Sequence, residues 1–488
     1  MSDASEGWQC RFRGSIRMLL LALVALGTGC SLTRPKISDC DRNAQCQAAF
    51  GYGMVCASGR CERAAPNNRC TVALPHDLLV QPGRYEGWHV YGSLMDRSSP
   101  TQIGREKAIK LAVTEANDQS LLDGKGMGIV FCDIAQDANY DNLDRTEAAK
   151  VSALYLATQI GVPAIVGPSS SPDTLAVYNT LNGQNPYGTL IISPAATSTA
   201  LTGVDTTDAT DVNPGLLWRT APPDSVQGDA IAQYLLQQGQ MNVSIVQESG
   251  AYGEGLAGVF LPAYQGGGGK ATVHIFSDNV SRDAAILAAG SDTAPEVLFI
   301  SSQTSDVAAF VKQADASFNY QAKQLFLTDS AANSDLLTQA AGAKGTFPRI
   351  RGSRVQIPSG STYQEFAGDY QAEFNQDPAQ LSYVANAYDA AWLVFYGSAW
   401  SHFQEGGISG IGIARGLRQV SNGEPVPIVP SDWAKVITTF KAGQSIDVAG
   451  ASSTLDFDPL TEEIQVAIEI WAINSTNDGF AVVEKIQP

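Results

Sequence analysis

The chain has 488 residues, is 44% hydrophobic and 8% aromatic, and carries a formal net charge of −18 at pH 7. That acidic balance excludes a nucleic-acid binder and a basic membrane-binding face. The apolar content suits folded cores, and the length is too great for a single one, so a body of two lobes is expected.

The N-terminus reads as an export signal. Arg11, Arg13 and Arg17 precede a short apolar run at 18–26, and Gly27, Thr28 and Gly29 precede Cys30. The run is too short to span a membrane and ends in small residues, which is the pattern of a cleaved signal. A Cys directly after a small-residue triplet resembles a bacterial lipoprotein signal, which makes Cys30 the expected lipidated first residue. The alternative is an ordinary secretory signal with Cys30 paired or free. No later run is long and apolar enough for a transmembrane helix.

The chain contains 8 cysteines. Without Cys10 and Cys30 an even set remains, Cys40, Cys46, Cys56, Cys61, Cys70 and Cys132, which suits an oxidising compartment. The first four crowd into a segment too small for a core, so two bridges are expected there, in any of three pairings. Their spacing is unlike a zinc ribbon and includes no His, so no metal is expected. Cys70 and Cys132 are left to each other. The resulting organisation is a signal (1–29), a tether with a Cys-rich module (30–66), a linker (67–87), a first lobe (88–217 and 352–455) and a second lobe (218–351 and 456–488).

The first lobe begins with alternating elements. Strands are expected at 88–94 (WHVYGSL), 128–133 (GIVFCD), 163–167 (PAIVG) and 189–193 (TLIIS), with helices at 103–118, 143–160 and 172–182. Such alternation makes a doubly wound parallel sheet. After an irregular crossing it resumes, with strands at 242–248, 271–278, 296–302 and 324–329 and helices at 253–265, 281–290 and 305–318. Two aromatic-striped helices follow, YQEFAGDYQAEF and SYVANAYDAAWLVFYGSAW. The end, SSTLDFD and EIQVAIEIWAI, is read as strand. Gly410, Gly412 and Gly416 miss the dinucleotide fingerprint and are read as a loop entering a helix.

Two strand ends carry the strongest functional signal. PAIVG and TLIIS both break into small hydroxyl residues, VGPSSSPDT and SPAATS. Ligands of open α/β sheets sit beyond the carboxyl ends of the strands. Ser and Thr at helix N-termini offer hydroxyls and free N–H groups that hold an anion such as a carboxylate. Ser171 and Thr197 are the candidates. Tyr252 offers apolar area with a polar tip. Asp329, after a strand, offers a carboxylate for an ammonium group, and a zwitterion needs both partners for its burial to be offset.

Segment order, carried by AIVGPSSSPDT, LIISPAATS, LWRTAPPDSVQGDAIAQYL, ESGAYGEGL, LFLTDS, ANAYDAAWLV and TLDFD, resembles the type I periplasmic-binding family over roughly 88–488. Within it the chain is most similar to the branched-chain amino-acid-binding components of ABC importers. The resemblance implies two Rossmann-like α/β lobes joined by three hinge crossings that close on a ligand. It matches Ser171 and the Ala195, Ala196 and Thr197 loop to groups that hold the ligand's carboxylate and amino group. It also matches Tyr252 to a covering aromatic and Asp329 to the acid for the ammonium. Gln303, or Thr304, falls where the family often has an aromatic, and RSSPTQIG (97–104) lacks a common one. The implied function is a periplasmic or cell-surface solute-binding lipoprotein for an amino acid or related small carboxylate, feeding an ABC permease, with no cofactor. The alternative is a surface sensor of the same fold acting on a membrane receptor.

Each candidate has a plainer reading. Ser171 and Thr197 could be simple caps, Tyr252 a surface aromatic and Asp329 a turn residue. Tyr388 and Asp389 are expected to pack or cap, and Trp392 and Phe395 to be core. The four His (His76, His89, His274, His402) make no metal spacing. No G-x-S-x-G elbow, P-loop or H-E-x-x-H is present, and Ser169–Ser171 lacks a His partner, so an enzyme is not expected.

Overall fold

The structure is a computed structural model that describes residues 39–119, 121–183, 187–205 and 208–487. The expected signal and Cys30 lie outside the described residues. Among the described residues no helix is long and apolar enough to cross a membrane.

The Cys-rich module is a helix, Asn43–Phe50, and a hairpin of β1 (Met54–Ala57) and β2 (Arg60–Arg63). Cys40–Cys56 and Cys46–Cys61 bridge it. It docks on one helix end. That helix runs from Arg145–Leu154 into a π turn, Tyr155–Ile160. The side chains of Asn43 and Gln47 donate to the Thr158 carbonyl at 2.9 and 3.1 Å, and Gly53 N–H donates to the Ile160 carbonyl at 2.8 Å. Carbonyls of a last helical turn have no partner within the helix, so the module satisfies them.

The expected linker is not one. It enters the first lobe as β3 (Val72–Leu74), tied by Cys70–Cys132, with Leu78 and Tyr85 buried. Arg69 is buried too, and donates to the Asp133 and Ala135 carbonyls while pairing with Asp141. A strand of three residues between turn-rich stretches carries too little periodicity to be read locally.

The first-lobe sheet adds β4 (His89–Met95), β5 (Met127–Asp133), β6 (Ala164–Val166), β7 (Leu190–Ser193) and β8 (Leu217–Arg219), in spatial order β3-β5-β4-β6-β7-β8. All pair in parallel except β3 with β5. The second lobe adds β9 (Asn242–Glu248), β10 (Lys270–Phe276), β11 (Glu296–Ile300), β12 (Gln324–Leu327) and β13 (Ile350–Val355). The chain then returns to the first lobe through helices Ser361–Phe374, Val384–Glu405, Gly410–Leu417 and Trp433–Lys441, and a ribbon of β14 (Glu424–Pro427) with β15 (Ile446–Ala449). It ends in the second lobe as β16 (Ile468–Ile473) and β17 (Phe480–Ile486), giving the order β10-β9-β11-β12-β13-β16-β17. These are two doubly wound Rossmann-like lobes with three crossings between them. β8 and β13 each lie whole in one sheet, so the first two crossings begin after Arg219 and Val355, not at 217/218 and 351/352.

Both sheets are covered on both faces. Along β4, Tyr91 and Met95 face the core with Trp392 and Trp433, while Val90 and Leu94 face the opposite core. The period of two along a strand produces this division. Trp392 and Phe395 are core, and Tyr388 packs with its hydroxyl on Glu115. SSTLDFD is not a strand. Asp389 accepts the Ala451 and Ser452 N–H groups at 2.8 and 2.7 Å and the Ser452 hydroxyl, holding this crossing as a loop. The Gly410, Gly412 and Gly416 stretch is helix from its first residue. A Cβ at Gly412 would lie 2.1 Å from Ser401 Oγ and one at Gly416 2.7 Å from Gly397 Cα, so these glycines allow close helix packing.

Glu296, at the start of β11, is 4% exposed, and burial pushes its carboxyl from 4.5 up to about 8. A raised carboxyl leaves the fold unpenalised below pH 4.5 and destabilises it progressively as pH rises toward 8. Glu296→Gln removes that penalty. The variant should lie within about 1 kcal/mol of the parent near pH 5 and gain about 4 kcal/mol on it by pH 8.5 in urea unfolding. Equal differences at both pH values would refute the burial argument.

Candidate functional site

Each lobe has its own switch point, where the strand order reverses. In the first lobe it lies between β4 and β6, and in the second between β9 and β11. Loops leaving the two neighbouring strands diverge there and open a crevice. The two crevices face each other and form one cleft of about 160 Å³. The lobes also touch at its rims. Thr101 donates its N–H and hydroxyl to Asp335 at 3.1 and 2.8 Å, and the Ser198 hydroxyl donates to the Ala251 carbonyl. This is a closed arrangement.

The loop after β4 starts the helix Pro100–Asp118, with Ser99 as its cap. Arg105 lies one turn further and lines the cleft. It is 7% exposed, and burial lowers its pKa only to about 10, so it stays charged at pH 7. Its Nε donates to the Ser382 carbonyl at 3.0 Å and one Nη to Ser382 Oγ at 3.1 Å, while its guanidinium sits 5.5 Å from the Tyr383 ring centre. No residue of the described chain accepts from the other Nη. After β6, Ser170 caps the helix Ser171–Asn182, so Ser171 is its first residue and not the cap. Ser171 Oγ accepts from Ser198 N–H at 3.1 Å, which joins the two serine loops and leaves its own proton for the cleft.

The second lobe supplies Tyr252 after β9, Ser302, Gln303 and Thr304 after β11, and Asp329 after β12. Asp329 is the hub. Its Oδ1 accepts from the Tyr252 hydroxyl at 2.5 Å and Gln227 Nε2 at 3.2 Å, and its Oδ2 from the Tyr383 hydroxyl at 2.8 Å. Three donors hold the carboxylate at the cleft wall and leave one lone-pair site on Oδ2. Asp224 lies close behind, fully buried; burial first and the Asp329 charge second push its carboxyl well up.

Of the residues singled out from sequence, Ser171, Ala195, Tyr252, Gln303 and Asp329 line the cleft together. Ala196 and Thr197 do not. Ala196 is fully buried, its N–H on Ser193 Oγ at 3.1 Å, and Thr197 lies behind the wall beside Asp224. The tight turn after β7 points these two inward. Arg105, Tyr383, Asn333 and Asp335 were not foreseen. A signal for Arg105 exists. It stands four residues before Ile109, on the apolar stripe of its helix, where a charge needs a reason. Tyr383 carries none, since its φ of 61° and its place before the helix Val384–Glu405 come from the packing. Among the described residues the group with metal-like proximity is Cys40, Cys46 and Cys61, all of them bridged.

A sequence profile described as periplasmic binding protein matches residues 92–441. The Leu/Ile/Val-binding protein BraC3 of Rhizobium johnstonii is 33% identical over 119 residues, 24% of this chain and 29% of that protein. The leucine-binding protein LivK of Thermotoga maritima superposes with a TM-score of 0.63 at 17% identity, over 82% of this chain and 98% of that one. The isoleucine complex of LivJ from Streptococcus pneumoniae gives 0.61 at 19% identity, over 82% and 99%. A solute-binding protein of R. palustris in complex with benzoate gives 0.61 at 15% identity, over 82% and 97%. At these identities the structural matches speak for the fold.

Proposed function

We infer, for a chain that belongs to the periplasmic binding protein family, that the cleft takes an α-amino acid and that the two lobes close over it. One observation carries the reading. The cleft has a buried cation on the first lobe, Arg105, and a carboxylate on the second, Asp329. A zwitterion matches both; its carboxylate would meet Arg105 and Ser171, and its ammonium Asp329. A simple aromatic carboxylate would leave Asp329 without a cationic partner, which buried charges tolerate poorly. Tyr252 and Tyr383 would enclose the ligand, and closing the lobes on it would make the carrier form presented to an ABC permease.

The same reading covers the rest of the chain. The protein is exported and held by a lipid on Cys30. Helices of a doubly wound lobe run antiparallel to the strands, so the helix end that carries the Cys-rich module lies opposite the strand ends that line the cleft. A tether leaving the module keeps the mouth free.

The test is a thermal-shift and calorimetric screen of α-amino acids. Binding raises the melting temperature by mass action, increasingly with ligand concentration. Asp329→Asn should weaken the amino acid that binds by about 30-fold, the usual scale for one charged hydrogen bond. Absence of any shift from every α-amino acid would end this reading.

A further inference from the structure

We propose that the ligand is a hydrophilic amino acid with a neutral polar or cationic side chain, and that the site discriminates against branched aliphatic and acidic ones. This rests on the amino-acid reading of the cleft and names the substrate class within it.

Among the described residues no Leu, Ile, Val, Met, Phe or Trp lines the cleft. The second-lobe surface is instead Ser302, Gln303, Thr304, Ser305, Ser330 and Asn333. Several of these groups already hold one another: Gln303 Nε2 donates to Ser302 Oγ at 3.0 Å, and Asn333 Nδ2 to the Ser330 carbonyl at 2.6 Å. A polar floor fixed in this way is pre-organised to give and accept further hydrogen bonds. An aliphatic side chain pressed on it would remove water from those groups and return nothing. Sites built to hydrogen-bond a ligand reject an analogue lacking the group far more strongly than apolar pockets reject a missing methylene.

Among the described residues, four ionisable ones other than tyrosine line the cleft, Asp96, Arg105, Asp329 and Asp335, and all are more than nine-tenths buried. A zwitterion brings one charge of each sign, so it leaves the excess of carboxylates as it was. A further negative charge on the side chain would deepen that excess, and a positive one would offset it. Asp96 and Asp335 each have one oxygen engaged locally, by Ser98 and by Thr101.

One apolar space adjoins the cleft, a cavity of about 60 Å³ that includes Val355, Ile357, Leu381 and Val384. Ser382, Tyr383 and Asp329 form the wall common to both. The hydrogen bond from Tyr383 to Asp329 holds that wall in place at 2.8 Å. An aliphatic side chain would reach the apolar space only by breaking it.

The experiment is isothermal titration of the mature, disulfide-intact protein with glutamine, serine, arginine, glutamate, leucine and isoleucine. The expected result is tightest binding by one of the first three, with leucine, isoleucine and glutamate at least about 100-fold weaker. Gln303→Leu and Asn333→Leu, which leave Arg105 and Asp329 in place, should narrow the gap to leucine to less than about tenfold. Leucine, isoleucine or glutamate binding within tenfold of the best ligand overturns this inference and leaves the amino-acid reading standing. No binding by any amino acid overturns both.

Discussion

Arg105→Met is expected to weaken amino-acid binding by about 1000-fold while leaving the protein folded. A ligand carboxylate entering the closed cleft loses its water, and Arg105 is the only cation among the described residues of the cleft to replace it. Removing one partner of a buried ion pair costs about 3–5 kcal/mol, because the other charge stays behind unpaired. The fold has less at stake. Arg105 donates to Ser382, which begins the approach to the helix Val384–Glu405, and methionine retains most of the stem that packs there. Arg105→Lys should recover only part of the affinity, since an ammonium is a point charge and cannot repeat the fork that serves Ser382 and a ligand together. Calorimetry with the amino acid found by screening, alongside a thermal melt, separates the two effects. Affinity within tenfold of the parent would remove Arg105 from the carboxylate site.

The largest effect on stability is expected from the Cys70–Cys132 bridge. Replacing both cysteines by alanine should lower the unfolding free energy of the first lobe by about 4 kcal/mol on the chain-entropy model. The bridge closes a loop with a sequence separation of 62 residues, against 16 and 15 for the two bridges of the module. It also fixes β3 against β5 at the sheet edge, and both sulfurs are buried. Without it the entering strand of three residues would rest on its ladder, on the burial of Ala73 and on Arg69. Removing the two module bridges should unfold the module and leave ligand affinity unchanged, because the module lies at the far end of the lobe. Urea unfolding followed with and without ligand distinguishes these cases. An unchanged midpoint in the Cys70→Ala, Cys132→Ala protein would contradict the argument.

The parts of the fold that could be read along the chain share one property. β6 and, after its leading Glu296, β11 are short runs of consecutive apolar residues between turn signals, which only a sheet covered on both faces can bury. The parts that could not be read depend on partners far away. SSTLDFD alternates like a strand, yet Asp389, more than sixty positions earlier, takes its N–H groups and makes it a loop. The glycines at 410–416 read as a loop entering a helix until the helix Val384–Glu405 is seen pressed against them.

The same division runs through the site. Cysteine count, strand ends rich in small hydroxyls and the order of segments were determined by the sequence, because each depends on neighbours a few residues apart. Ser171 and Tyr252 follow from that local grammar and do line the cleft. Thr197 follows from it equally well and does not, since one residue of turn geometry sets which way a side chain points. Arg105, Asp329, Tyr252 and Tyr383 meet only when two sheets bring their switch points face to face. Burial makes charge expensive, and its partners can come from any part of the chain. Tertiary structure therefore decided which ions face each other, and so what kind of molecule the cleft can hold.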